Sequence, residues 1–171
     1  LKRKHLRSLK ECFSKLQELN CLRLYISKCI KLVDEDFEML FESLDSLPNL
    51  KELFLNVSLA YIGNRCIKAL ASTVYKLPAI EDFTFIMADN VDLSPTILGE
   101  FFDELKAKNL KCLELGLANC NIDDLCLEKI AATTGNMENF KLDISENEHI
   151  KPITISKFFN SLNQEIERSE E

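Results

Sequence analysis

Histidine, glycine and proline are all scarce in this chain of 171 residues, at two, four and four respectively. His5 and His149 lie far apart in sequence, so neither a Cys/His nucleophile nor a three-ligand metal site has its parts, and both histidines read as structural. Gly63, Gly99, Gly116 and Gly135 form no G-x-x-x-x-G-K or G-x-G-x-x-G loop able to cradle a phosphate. No Gly/Ser/Pro-rich stretch divides the chain, which reads as one elongated domain over residues 1–171. No apolar run reaches bilayer length, and no basic start precedes an apolar signal-type core, so no membrane role is expected. The seven cysteines include no C-x-x-C pair, and their odd number fits a reducing compartment better than a disulfide framework. An intracellular, cytoplasmic protein follows as the expectation. Paired acids such as Asp123/Asp124 and Glu81/Asp82 are ordinary in so acidic a chain, and the first pair suits a helix N-terminus. No catalytic, metal or cofactor residue is assigned, and the chain is expected not to be an enzyme.

What is present is a period. Apolar pairs recur at Leu22/Leu24, Leu53/Leu55, Phe83/Phe85, Leu113/Leu115 and Phe140/Leu142, at steps of 31, 30, 30 and 27 residues. A fixed interval means one unit copied and stacked. Three residues before each pair stands another apolar residue (Leu19, Leu50, Ile80, Leu110, Met137), and two residues after it a further one (Ile26, Val57, Met87, Leu117, Ile144). That alternation predicts a strand with one face buried. Five residues beyond each pair come Cys29, Ala60, Asn90, Cys120 and Asn147, a column in which small donors can satisfy backbone carbonyls where the chain turns. Between strands the period becomes helical, as in Phe37, Leu40, Phe41, Leu44, Leu47 and Ile67, Leu70, Ala71, Val74, Leu77. Asp34, Asn64, Ser94, Asp123 and Thr154 are the candidate N-caps, with Pro95 at a favoured first helical position.

The segments LPNLKELFLNV (47–57) and NLKCLELGLANCNI (109–122) resemble leucine-rich repeats of the helix-bearing, ribonuclease-inhibitor-like subtype. The resemblance runs from about residue 5 to about residue 162, with departures at Ala60 and in the fifth repeat, where Met137 and Phe140 replace leucines. It implies an α/β solenoid, a horseshoe of about five strand–helix repeats with a parallel concave sheet and convex helices. Leu6, Leu9, Phe13 and Leu16 align with the stripe of the next helix, so the chain is expected to begin inside a repeat, as a fragment of a longer protein. The last helix, with Ile155, Phe158, Phe159, Leu162 and Ile166 on one face, is expected to act as a terminal cover.

The net charge of −7 is uneven. Residues 1–16 carry Lys2, Arg3, Lys4, Arg7, Lys10 and Lys15 against Glu11, leaving the remainder strongly acidic. The basic start reads either as a contact for an acidic partner or as a solvated helix face. The acids Asp34, Glu35, Asp36, Glu38, Glu42 and Asp45 read as a solvated convex face. Positions between the core residues of each strand point to the concave face. Column by column these are Cys21, Glu52, Asp82, Cys112, Asn139; Arg23, Phe54, Thr84, Glu114, Lys141; and Tyr25, Asn56, Ile86, Gly116, Asp143. Tyr25, Phe54 and Ile86 are expected to form a small apolar patch flanked by Arg23, Glu52 and Asp82, with Asn56 among them, as a surface for a protein partner. Nucleic acid is a poor fit to a concave face with more acids than bases. The reading is a non-enzymatic scaffold or adaptor segment. The alternative is a regulatory sensor or GTPase-activating segment, because similar repeats occur in Ran GTPase activators and innate immune receptors and the tail Glu165, Glu167, Glu170, Glu171 resembles an acidic end of the former.

Overall fold

A computed structural model describes residues 3–108, 110–135 and 137–169, with side chains of the last helix described as far as Leu162. Strands and helices alternate: α1 (Arg3–Phe13), β1 (Cys21–Tyr25), α2 (Asp34–Leu44), β2 (Glu52–Asn56), α3 (Asn64–Lys76), β3 (Asp82–Ile86), α4 (Pro95–Lys106), β4 (Cys112–Gly116), α5 (Asp124–Ala131), β5 (Asn139–Asp143) and α6 (Pro152–Ser169). The five strands form one parallel sheet in chain order, β1 to β5, and each helix packs on the next along the outer side. This is the strand–helix solenoid that the period predicts.

Register follows the repeat columns. Leu22, Leu53, Phe83, Leu113 and Phe140 are partners across the sheet, as are Leu24, Leu55, Phe85, Leu115 and Leu142. In β2, β3 and β4 both members of the pair are buried, whereas in the two edge strands they are only partly buried. Repeat three places Phe83 and Phe85 where its neighbours have leucines, and Phe85 packs on Phe101 of α4 with ring centroids 5.6 Å apart.

The turn after each strand is held by its neighbour. Asn90 donates from Nδ2 to the carbonyls of Met87 (2.6 Å) and Val57 (3.1 Å), and its Oδ1 accepts from the Ile62 N–H (3.0 Å). Asn147 repeats this one pair of repeats later, donating to Leu117 (2.8 Å) and Ile144 (3.0 Å) and accepting from the Cys120 and Ile122 N–H groups. The Cys120 thiol donates to the Met87 carbonyl at 3.0 Å. The expected donor column therefore bonds across repeats as well as within its own turn. Ala60 is fully buried there, and the turn it begins is held by Asn90 of the next repeat.

Several sequence expectations need correction. Asp34 and Asn64 are the first residues of their helices, with Val33 and Gly63 at the cap positions. Their side chains reach to the following repeat: Asp34 Oδ1 accepts from Gly63 N–H and Asn64 Oδ1 from Ser94 N–H, both at 2.8 Å. Asp124 does the same for Lys151 N–H at 2.8 Å. Ser94 occupies the cap position without a side-chain cap bond, and Asp123 caps as predicted, accepting from Cys126 N–H at 2.9 Å. Thr154 lies inside α6, which begins at Pro152. Leu16 falls beyond the end of α1 and is exposed, so it leaves the stripe that Leu6 and Phe13 form. Asp36 is buried rather than solvated, its carboxylate facing Arg3 at 3.0 Å and the Val33 N–H at 3.3 Å.

Through its described side chains, the last helix covers the fifth repeat only in part. It packs on α5 as each earlier helix packs on its predecessor, burying Thr154 and Phe158 and setting Phe158 6.4 Å from Phe140. Phe159 remains 59% exposed, and Phe140, Leu142 and Ile144 stay only partly buried. A helix presents one stripe to one neighbour, and here residues 154, 155, 158 and 162 take that face. The side chain of Ile166 lies outside the described residues.

Candidate protein-binding surface

The sheet puts the intervening positions on its concave face in the predicted columns: Cys21, Glu52, Asp82, Cys112 and Asn139 are consecutive partners, and Arg23, Phe54, Thr84, Glu114 and Lys141 form the row beside them. These ten residues line a trough of about 410 Å3. Glu52 and Asp82 sit side by side on neighbouring strands, and Lys141 meets Glu114 at 3.4 Å. At the rim, Lys111 lies 2.6 Å from Glu81 and holds that carboxyl below its usual range. Burial, and then Asp82 beside it, push the Cys112 thiol up from its ordinary value.

Tyr25 and Phe54 are diagonal neighbours across β1 and β2, and their rings meet at 4.7 Å with a tilt of 38°. The Arg23 guanidinium lies 5.9 Å from the Phe54 ring centre, within cation–π range. Tyr25 is 67% exposed, so the pair presents a large aromatic surface to water with one cation at its edge. The structure thus gathers Arg23, Glu52, Phe54 and Asp82 in the trough and Tyr25 on its border. The other two predicted residues are turned to local tasks. Asn56 Oδ1 accepts from the Ser58 N–H at 3.1 Å, and Ile86 lies against Gly116, where an added Cβ would stand 2.8 Å from Ile86 Cδ1. Thr84, Glu114 and Lys141 belong to the same trough, and the same strand alternation marks them in the sequence.

The basic first helix is partly committed internally, because Arg3 faces Asp36. Lys4, Arg7, Lys10 and Lys15 are exposed. Among the described residues no group of three or more His, Cys, Asp or Glu is placed to hold a metal ion, and no helix is long and apolar enough to cross a membrane.

No protein-family model matches the chain, and no curated relative matches it. Solved structures do. The tropomodulin C-terminal domain of Caenorhabditis elegans superposes with a TM-score of 0.65 at 10% identity, over 96% of this chain and 95% of that one. Actin-binding site 2 of leiomodin-1 gives 0.62 at 12% identity, over 98% and 90%. Yeast Rad7, solved in complex with Elc1, gives 0.53 at 17% identity, over 85% of this chain and 36% of the other. At these identities the likeness concerns the fold, which is an α/β repeat solenoid of leucine-rich-repeat type.

Proposed function

We propose that this chain is a non-enzymatic protein-interaction module that receives its partner on the concave sheet. The observation that carries the reading is the Tyr25–Phe54 ring pair, with Tyr25 exposed at the border of a charged trough, Phe54 half-buried within it and Arg23 at its edge. Aromatic and arginine side chains dominate binding energy at protein interfaces when a polar rim surrounds them, and Glu52 and Asp82 supply that rim. Asn56 and Ile86 border the contact. The helix in every repeat supports the ribonuclease-inhibitor-like subtype, and the continuous core from α1 to α6 supports a single domain serving as a scaffold or adaptor segment. An odd number of cysteines with no C-x-x-C pair supports an intracellular setting. The exposed Lys4, Arg7 and Lys10 of α1, with Lys15 just beyond it, give this end the means to hold an acidic patch of the same partner.

The leiomodin-1 domain, a similar fold, is described as an actin-binding site. Actin is therefore the first purified partner to test, by co-sedimentation of this chain with filaments and by titration of labelled monomers. Whichever protein binds, Phe54→Ala should weaken it by about 1 to 3 kcal/mol with an unchanged circular dichroism spectrum. Undiminished binding by Tyr25→Ala, Phe54→Ala and Ile86→Ala alike would remove the concave face from the contact.

A further inference from the structure

A second surface lies on the turns that follow the strands. Ile30, Tyr61 and Val91 come directly after Cys29, Ala60 and Asn90 of the donor column, and they are 63%, 65% and 50% exposed. Single exposed apolar residues are commonplace, but these three lie in the turns that follow β1, β2 and β3, in three consecutive repeats. Backbone hydrogen bonds keep the turns in step, from Lys28 N–H to the Ser58 carbonyl at 2.9 Å and from Leu59 N–H to the Ala88 carbonyl at 3.0 Å. The three side chains therefore form a ridge running along the solenoid.

Tyr61 occupies it against its local preference. Its φ is 53°, in the left-handed region, which costs a residue other than glycine or asparagine roughly 1–2 kcal/mol. Repeat four meets the same demand with Asn121 at φ 59°, a residue that tolerates it. The fold alone would thus be better served by asparagine at 61; positive φ recurs in these turns, at Lys28, Leu59 and Asp89, but Tyr61 alone among them sets a large aromatic ring into water. Charge along the ridge is polarised: Lys28 and Lys31 flank Ile30, whereas Asp89 and Asp92 flank Val91.

We propose that this ridge is the contact between two copies of this chain, related by a two-fold axis through Tyr61. A two-fold interface must be self-complementary. Reversing the ridge on itself meets that condition, because it sets Ile30 against Val91, Tyr61 against its own copy, and Lys28 and Lys31 against Asp89 and Asp92. The dimer leaves the concave trough free, and it stands or falls separately from the concave contact.

The test is sedimentation velocity of the whole chain from about 5 to about 500 µM, with dissociation in the micromolar range as the expected result for so narrow a contact. Tyr61→Asn should give a monomer whose melting temperature equals or exceeds that of the parent, which separates loss of contact from loss of fold. Lys28→Glu with Lys31→Glu should weaken self-association at least tenfold, as should Asp89→Lys with Asp92→Lys, and mixing the two variants should restore a dimer. Phe54→Ala should leave the dimer intact. A parent chain monomeric at every concentration would overturn the proposal, as would a dimer indifferent to Tyr61→Asn and to charge reversal.

Discussion

Asp124 shows how a single side chain joins two repeats. Its carboxylate accepts from the Lys151 N–H at 2.8 Å and faces the Lys151 ammonium at 2.7 Å, while lying in the first turn of α5, where the helix dipole favours an anion. The Lys151 backbone N–H, then its ammonium, then the Thr154 hydroxyl draw the carboxyl down from an ordinary 3.8 to about 2. Because the folded value is the lower one, the unfolded chain takes up the proton first as pH falls. The stability from this group is therefore full above about pH 4 and is lost as pH drops through about 2. Thermal midpoints measured from pH 5 to pH 2 should fall less steeply for Asp124→Asn than for the parent; identical slopes would mean the carboxylate contributes nothing across the repeat boundary. The sequence marks Asp34, Asn64 and Asp123 as N-caps that start helices, since short acceptor side chains suit that task. It does not show that Asp34 and Asn64 reach forward to the next repeat, because that depends on how far the stacked units are offset, which local spacing does not encode.

At the scale of elements, the repeat columns name the faces of the strands but not the degree to which each is covered. The alternation that predicts Leu53 and Leu55 as core predicts Leu22 and Leu24 equally, yet only the former pair has a strand on both sides and is buried. The turns depend on side chains from the next repeat. Asn90→Ala leaves the buried Ile62 N–H and two carbonyls without that partner, at a cost of about 2–4 kcal/mol for the groups left unsatisfied. A urea unfolding midpoint unchanged by Asn90→Ala would show that the turn repacks around the loss. The apolar stripe of α6 is legible as a stripe, but its width is not: Phe158 is buried beside Phe140 while Phe159 is exposed. Phe158→Ala should therefore destabilise by about 3 kcal/mol or more, and Phe159→Ala by well under 1 kcal/mol. Equal losses would mean that α6 buries both rings.

For the whole molecule, stacking decides both shape and use. One core runs from α1 through all five repeats, so the sheet is a continuous platform on which neighbouring strands bring residues about 30 positions apart into contact. That is how Arg23, Tyr25, Glu52, Phe54 and Asp82 come together without any local motif. The period makes the fold legible in the sequence, and alternation names the concave columns. What it cannot supply is how side chains share the surface, such as Ile86 turning onto Gly116 and Asn56 onto its own turn. The chemistry of the partner is equally silent, since a solenoid's surface residues are free of the constraints that fix its core.

The most direct measurement is position-resolved photo-crosslinking, with a photoreactive phenylalanine analogue placed in turn at Phe54 and Thr84 on the concave face and at Ser72 and Glu104 on the convex helices. The chain would be exposed to an extract of its own cells, and any trapped protein purified and titrated against the parent and Phe54→Ala. One protein crosslinked from positions 54 and 84 but not from 72 or 104, and bound less tightly by Phe54→Ala, is the predicted result. Crosslinking confined to the convex positions, or a purified partner that binds Phe54→Ala as tightly as the parent, would contradict it.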